Sequence, residues 1–216
     1  MPRGESSPGA AGWLRWAHGF PLVLLLLLPS WATYATIERP AEGEDHLLFY
    51  SIPDLTRDPL TIPPALIFTP LVNTETDQLI LVTVLISTFG VLVERRLGIL
   101  PALAVFWGAS TAAALGAGVI LHALHPFLDH VHAIDEAWRR LFNGGSAGGI
   151  GLMGAYTALS PRPWLWLGVF GAWELGFWLV QLRNFTPTFH LIAFPTGYLL
   201  ARLFLRRAAG KHGAPM

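Results

Sequence analysis

Apolar residues fall along this chain in long blocks, neither alternating nor confined to one helical face. Six blocks are bounded by polar or turn-forming residues: Phe20–Ile37, Asp77–Val93, Ile99–Leu121, Gly144–Leu159, Trp164–Leu182 and His190–Leu205. The hydrocarbon core of a bilayer is about 30 Å thick and a helix rises roughly 1.5 Å per residue, so such runs read as transmembrane helices. The fourth and sixth are short and open on polar residues. The pattern predicts an all-α, polytopic membrane protein, a bundle of six transmembrane helices over residues 20–207, with tails at 1–19 and 208–216. The first run has a second reading. Arg15 ahead of a leucine run, with Thr33 and Ala35 near its end, also fits a cleavable signal peptide.

Composition agrees with the blocks. Hydrophobic residues make up 53% of the 216 and charged residues 13%, about half the charged share of a soluble domain. Nine Trp and 13 Phe exceed what one small water-facing fold can hide. The 14 basic and 14 acidic residues balance, so no net field recruits nucleic acid or an acidic substrate. The absence of cysteine excludes disulfides, thiolate metal sites and a cysteine nucleophile. The partners expected are a lipid bilayer and a transmembrane protein substrate, and no cofactor is expected.

Lys and Arg set the orientation. With the N-terminus inside, Arg3, Arg15, Arg95, Arg96, Arg162, Arg202, Arg206, Arg207 and Lys211 lie on the inner side. Arg39, Arg57, Arg139, Arg140 and Arg183 lie outside. The bias predicts cytoplasmic termini. Lys211 is the only lysine among the 14 basic residues, a composition typical of a GC-rich prokaryotic genome, so a prokaryotic plasma membrane is expected. Two outer loops are long. Glu38–Thr76 carries Glu38, Glu42, Glu44, Asp45, Asp54 and Asp58, and its Leu47, Leu48 and Phe49 suit the headgroup region. His122–Asn143 contains a run, Ile134–Phe142, that reads as an interfacial helix. No internal repeat or inverted symmetry is present, which counts against a secondary transporter.

Candidate chemistry centres on the segment Asn143-Gly144-Gly145-Ser146-Ala147-Gly148-Gly149-Ile150-Gly151-Leu152-Met153-Gly154. Small residues every three or four positions let membrane helices approach closely, and Gly144, Gly148, Gly151 and Gly154 suit that purpose. Packing alone does not call for Ser146 where the helix begins. His190 opens the sixth block, at a depth similar to Ser146. A serine hydroxyl is a weak nucleophile that a hydrogen-bonded imidazole activates, and the glycines let a peptide approach backbone N–H groups that hold an oxyanion. The plainer reading makes His190 an interfacial histidine facing water.

These residues resemble a family. Gly144-Gly145-Ser146 with Leu152-Met153-Gly154 is similar to the fourth helix of rhomboid intramembrane serine proteases. His190 with Gly197 resembles the sixth. Val93-Glu94-Arg95-Arg96-Leu97-Gly98, with Gly90, resembles the close of the second, and Phe68-Thr69-Pro70 resembles the approach to it. The resemblance covers roughly residues 65–207. It implies a six-helix fold and a Ser146–His190 dyad without a carboxylate partner. Ser146 would be the nucleophile and His190 the general base, with Gly144, Gly145 and Gln78 at the oxyanion and substrate approach, no metal, and the fifth helix as a lateral gate.

The sequence also departs from that pattern. The second helix of the family carries a histidine and an asparagine where this chain has Gln78 and Val82. Gln78 can donate an amide N–H; Val82 can donate nothing. A tyrosine common four residues after the serine is Ile150 here. Pro195 should kink the sixth helix or end its first turn. An intramembrane serine endopeptidase and a catalytically inactive rhomboid-like protein that binds transmembrane segments therefore both remain open. Three further features carry two readings each. His122, His125, His130 and His132, near Asp129, Asp135 and Glu136, form either a metal site or an ordinary loop. Glu174, inside the fifth block, is either a functional carboxylate or a hydrogen-bond partner for another helix. Together, Glu174 and this loop would serve a small transporter. Arg202 and Arg206 snorkel to headgroups.

Overall fold

A computed structural model describes residues 21–37, 49, 51–53, 62–180 and 185–212. Every regular element among them is helical. In chain order these are α1 (Pro21–Thr36), α2 (Ile62–Phe68, continued by a 3-10 turn Thr69–Leu71), α3 (Thr76–Leu97), α4 (Ile99–Leu128), α5 (His132–Arg139), α6 (Ser146–Leu159), α7 (Pro163–Val180) and α8 (Thr186–His212). A single π turn, Ile86–Gly90, interrupts α3. Gly98, at φ +86°, separates α3 from α4, and its N–H donates to the Glu94 carbonyl.

Among the described residues, three helices are long and apolar enough to cross a membrane: Thr76–Leu97, Ile99–Leu128 and Thr186–Ala208. Their outer faces, with those of α1 and α7, expose large apolar side chains such as Leu28, Ile80, Val84, Leu100, Val119, Leu175 and Leu199. A water-soluble monomer does not carry an apolar belt of that extent. Lipid is the solvent that suits it. The chain is a helical membrane protein on this criterion.

The core forms around α6. Every residue from Ala147 to Ala155 on this helix is buried, because glycine and alanine let three neighbours close on it. Added to Gly148, a Cβ would meet Phe106 of α4 at 2.5 Å; added to Gly149, it would meet Leu85 of α3 at 2.8 Å. At Gly151 and Gly154 it would overlap Ala109 of α4 and the Phe194 carbonyl of α8. At Gly197 it would overlap the Gly151 carbonyl from the other side. The small-residue stripe is thus a packing device, as the spacing suggests.

Helix ends differ from the sequence reading. The sixth helix starts at Thr186 rather than His190, because Pro187 suits a first turn where no N–H is needed. Pro195 neither ends nor interrupts it, and the helix runs on through 208–212, part of the tail expected there. The third block continues seven residues beyond Leu121 to Leu128, so His122 and His125 are helical rather than loop residues. The interfacial helix is His132–Arg139, not Ile134–Phe142. Within the loop expected over 38–76 lies α2, and Phe49 is 4% exposed, inside the protein rather than among headgroups. The 1–19 tail with Arg3 and Arg15, the signal-peptide cleavage region before Pro21, the residues Glu38, Arg39, Glu42, Glu44, Asp45, Leu47, Leu48, Asp54, Arg57 and Asp58, and Leu182 and Arg183 all lie outside the described residues.

Candidate active site

Ser146 is the first residue of α6, and the loop before it fixes where that helix begins. Gly144 has φ +100°, a conformation that side-chain-bearing residues rarely adopt. Its N–H donates to the Thr69 carbonyl at 2.9 Å. The Gln78 amide, in the first turn of α3, donates to the Asn143 carbonyl at 2.9 Å, and the Asn143 amide donates to the Thr74 hydroxyl at 3.0 Å. A Cβ on Gly144 would land on the Gln78 amide, and one on Gly145 would lie 2.6 Å from the Pro70 carbonyl oxygen. Only glycines let the chain thread this gap. Gly144→Ala is expected to cost about 1–3 kcal/mol from backbone strain alone, and more from displacing Gln78. Thermal unfolding of Gly144→Ala with and without Gln78→Ala checks this: the double variant recovers the clash but not the strain.

The first α-helical bond of α6 runs from the Gly149 N–H to the Gly145 carbonyl at 2.9 Å. The N–H groups of Ser146, Ala147 and Gly148 therefore have no acceptor four residues back. They sit at the positive end of the helix dipole, where developing negative charge is stabilised.

His190 is in the second turn of α8 and is 1% exposed. Its Nδ1 lies 2.9 Å from Oε1 of Glu174, itself 6% exposed, on α7. Its Nε2 is buried without a hydrogen-bond partner. A cavity of ≈ 290 Å³ is lined by Ser146, His190, Gln78, Glu75, Asp77 and Trp173, among others. A smaller cavity of ≈ 70 Å³ shares Ser146, Gln78, Arg140 and Thr186 with it and reaches Asn143 and Gly144. Ser146 and His190 thus border one space, while the bare Nε2 means that no hydrogen bond joins them in this state. In unliganded active sites such bonds are often open and tighten with substrate. The α6–α8 crossing at Gly151 and Gly197 brings the two helices close enough to share that space.

The structure departs from the sequence reading at one central point. The expected dyad lacks a carboxylate, but Glu174 is on the imidazole. The sequence marks Glu174 as an intramembrane carboxylate, and its hydrogen bond to another helix is one of the two readings given there. Neither periodicity nor spacing fixes how α7 is rotated, so His190 was not legible as its partner. Thr74 escaped the sequence reading, and Thr69 and Asn143 were named there without the role they share of holding the Ser146 loop.

The remaining candidates sort by contact. Gln78 keeps its place beside Ser146 but spends one amide N–H on Asn143, and its Oε1 is buried without a partner. Val82 is fully buried, and its Cγ1 would lie 3.3 Å from a Cβ on Gly145. Ile150 is 2% exposed. Beside the larger cavity, Arg140 and Glu75 approach to 3.6 Å. Two of the histidines between 122 and 132 pack on α5: Trp138 stacks on His125 with ring centroids 4.2 Å apart and interplanar angle 14°, and His122 lies against the same ring. His125, His130 and His132 each approach a single carboxylate, from Asp135, Asp129 and Glu136. Among the described residues, no three His, Asp or Glu side chains converge as metal ligands do.

Compared with models of protein families, with curated proteins and with solved structures, the chain matches none.

Proposed function

We propose that the protein is an intramembrane serine endopeptidase of the rhomboid type, cutting membrane-anchored proteins near the outer end of a transmembrane segment. In this reading α1, α3, α4, α6, α7 and α8 make six crossings of a prokaryotic plasma membrane, and both termini are cytoplasmic. One observation carries it: the buried His190, whose Nε2 has no hydrogen-bond partner, lines the same cavity as Ser146, and Ser146 begins a helix whose first N–H groups have no acceptor four residues back.

The chemistry follows from those atoms. Nε2 of His190 takes the proton of Ser146 Oγ as that oxygen bonds to the substrate carbonyl carbon. The carbonyl oxygen, now negative, is held by the backbone N–H groups at the start of α6, with the Gln78 amide alongside. The C–N bond breaks, the amine leaves with the proton from Nε2, and water releases the acyl group by the same steps. Depth fits a membrane substrate. Fourteen residues of α6 span about 21 Å, against about 30 Å of hydrocarbon. With its inner end at the membrane boundary, Ser146 is recessed roughly 9 Å below the outer one. A substrate helix has to unwind there, because its peptide groups are otherwise shielded.

A second reading is a non-cleaving rhomboid-like protein that binds transmembrane segments. Val82, which donates nothing, and the lack of a Ser146–His190 hydrogen bond favour it. Reconstitution in liposomes with a transmembrane test substrate and a fluorophosphonate probe separates the two. The protease reading expects the wild type to cleave and to be labelled at Ser146, and Ser146→Ala to do neither. A wild type that binds substrates but neither cleaves nor labels establishes the second.

A further inference from the structure

The carboxylate of Glu174 has no place in a two-residue mechanism, and the helix that carries it gains nothing from it. Glu174 is the only ionisable residue of α7. A carboxylate inside a membrane helix costs free energy unless a partner compensates. Its one hydrogen-bond partner is His190 Nδ1, at 2.9 Å, while its Oε2 has none. The placement is set by packing: one turn away, Phe170 of α7 stacks on Phe194 of α8 with ring centroids 4.1 Å apart and interplanar angle 13°. Residues 170 and 194 thus pair across an antiparallel seam. Four residues on in α7 and four back in α8 bring 174 to 190.

We propose that Glu174 is a positioning residue for His190, so that the site is a Ser146–His190–Glu174 triad assembled from three helices; the proposal rests on the Ser146–His190 hydrolysis argued above. A neutral imidazole has one N–H and one lone pair, and the hydrogen bond made by one nitrogen decides the role of the other. A carboxylate oxygen at Nδ1 accepts, so the proton stays on Nδ1 and the lone pair is left on Nε2 for the serine proton. The same carboxylate stabilises the imidazolium that forms when His190 takes the serine proton. No further charge or co-reactant is needed. The carboxylate also comes from a loosely held helix: a Cβ at Gly168, Gly171 or Gly176 would meet nothing within 4 Å, and Trp164, Leu165, Leu175, Trp178 and Leu179 all face outward. Alignment of the base therefore depends on α7 being seated against α8.

The test uses the full chain in proteoliposomes, with Glu174→Gln and Glu174→Asp. Gln keeps the size and loses the charge; Asp keeps the charge and loses a methylene. A positioning carboxylate predicts a fall in kcat on the order of 10²–10⁴-fold for Gln, with KM little changed, and a higher kcat for Asp than for Gln. A merely structural side chain predicts the reverse order, which would overturn the proposal. Nitrogen NMR of histidine-labelled protein, with the His190 signal identified by its loss in His190→Gln, reads the tautomer without turnover. Nδ1–H in the wild type and a mixture in Glu174→Gln support the proposal; Nε2–H in the wild type overturns it. Should the wild type neither cleave nor label, hydrolysis itself falls, and the tautomer still decides whether Glu174 fixes the imidazole.

Discussion

Replacing His190 with alanine is expected to lower substrate cleavage by about 10⁴–10⁶-fold, and removing Ser146 as well is expected to lower it no further. Nucleophile and base act as one unit, so deleting either loses nearly the whole of their joint contribution, and what survives comes from binding and oxyanion stabilisation. Rates for Ser146→Ala, His190→Ala and the double variant in one liposome preparation check this. Multiplicative losses in the double variant would mean that the two residues do not share a step. The single variants should separate in stability. The Ser146 hydroxyl borders a cavity, so its loss leaves the fold nearly unchanged. His190→Ala leaves the buried Glu174 carboxylate without its partner, and breaking a buried pair from one side costs roughly 3–5 kcal/mol. His190→Ala should therefore be both silent and less stable, and Ser146→Ala silent and stable. Equal stability of the two in detergent unfolding would mean that the Glu174–His190 contact contributes little to the folded state.

How far the sequence reached follows from what each signal encodes. Apolar length is one-dimensional, and each of the six blocks holds a helix, three of them long and apolar enough to cross a membrane. It failed at their ends, where the deciding residues are not apolar. Thr186 and Pro187 start α8 before His190, and His122 to Leu128 extend α4 because Trp138 lies across their imidazoles. Pro195 illustrates a different limit. The rule that proline ends a helix comes from exposed helices in water, whereas a helix packed among others in a membrane tolerates it. The glycine stripe was legible twice over, since Gly148, Gly151 and Gly154 pack helices while Gly144 and Gly145 shape the loop before Ser146. Glu174 was legible as unusual and illegible as a partner. Sixteen positions of chain separate it from His190, and the rotation that joins them is set by ring contacts such as Phe170 on Phe194 and Trp166 on Phe89 and Tyr156.

The crossing of α6 and α8 at Gly151 and Gly197 yields the largest expected effect on folding. A single methyl group at position 197 would overlap the Gly151 carbonyl oxygen, which is backbone and has no rotamer to swing away. Gly197→Ala therefore forces α6 and α8 apart, and overpacking of this kind costs about 1–3 kcal/mol or more. Gly197→Leu should leave no folded protein, since the whole α6–α8 contact depends on the missing side chain. The matching substitution on α7, Gly176→Ala, meets nothing within 4 Å and should shift stability by no more than about 1 kcal/mol, upward if anything, because alanine is the better helix former. Unfolding of the three variants in detergent, alongside Ser146 labelling rates, tests the pair together. Gly197→Ala should lose labelling more steeply than stability, because the crossing sets the separation of Ser146 from His190 and a small shift in reacting geometry is costly to rate. Labelling that merely follows the folded fraction would mean that the crossing supports the bundle without setting the site.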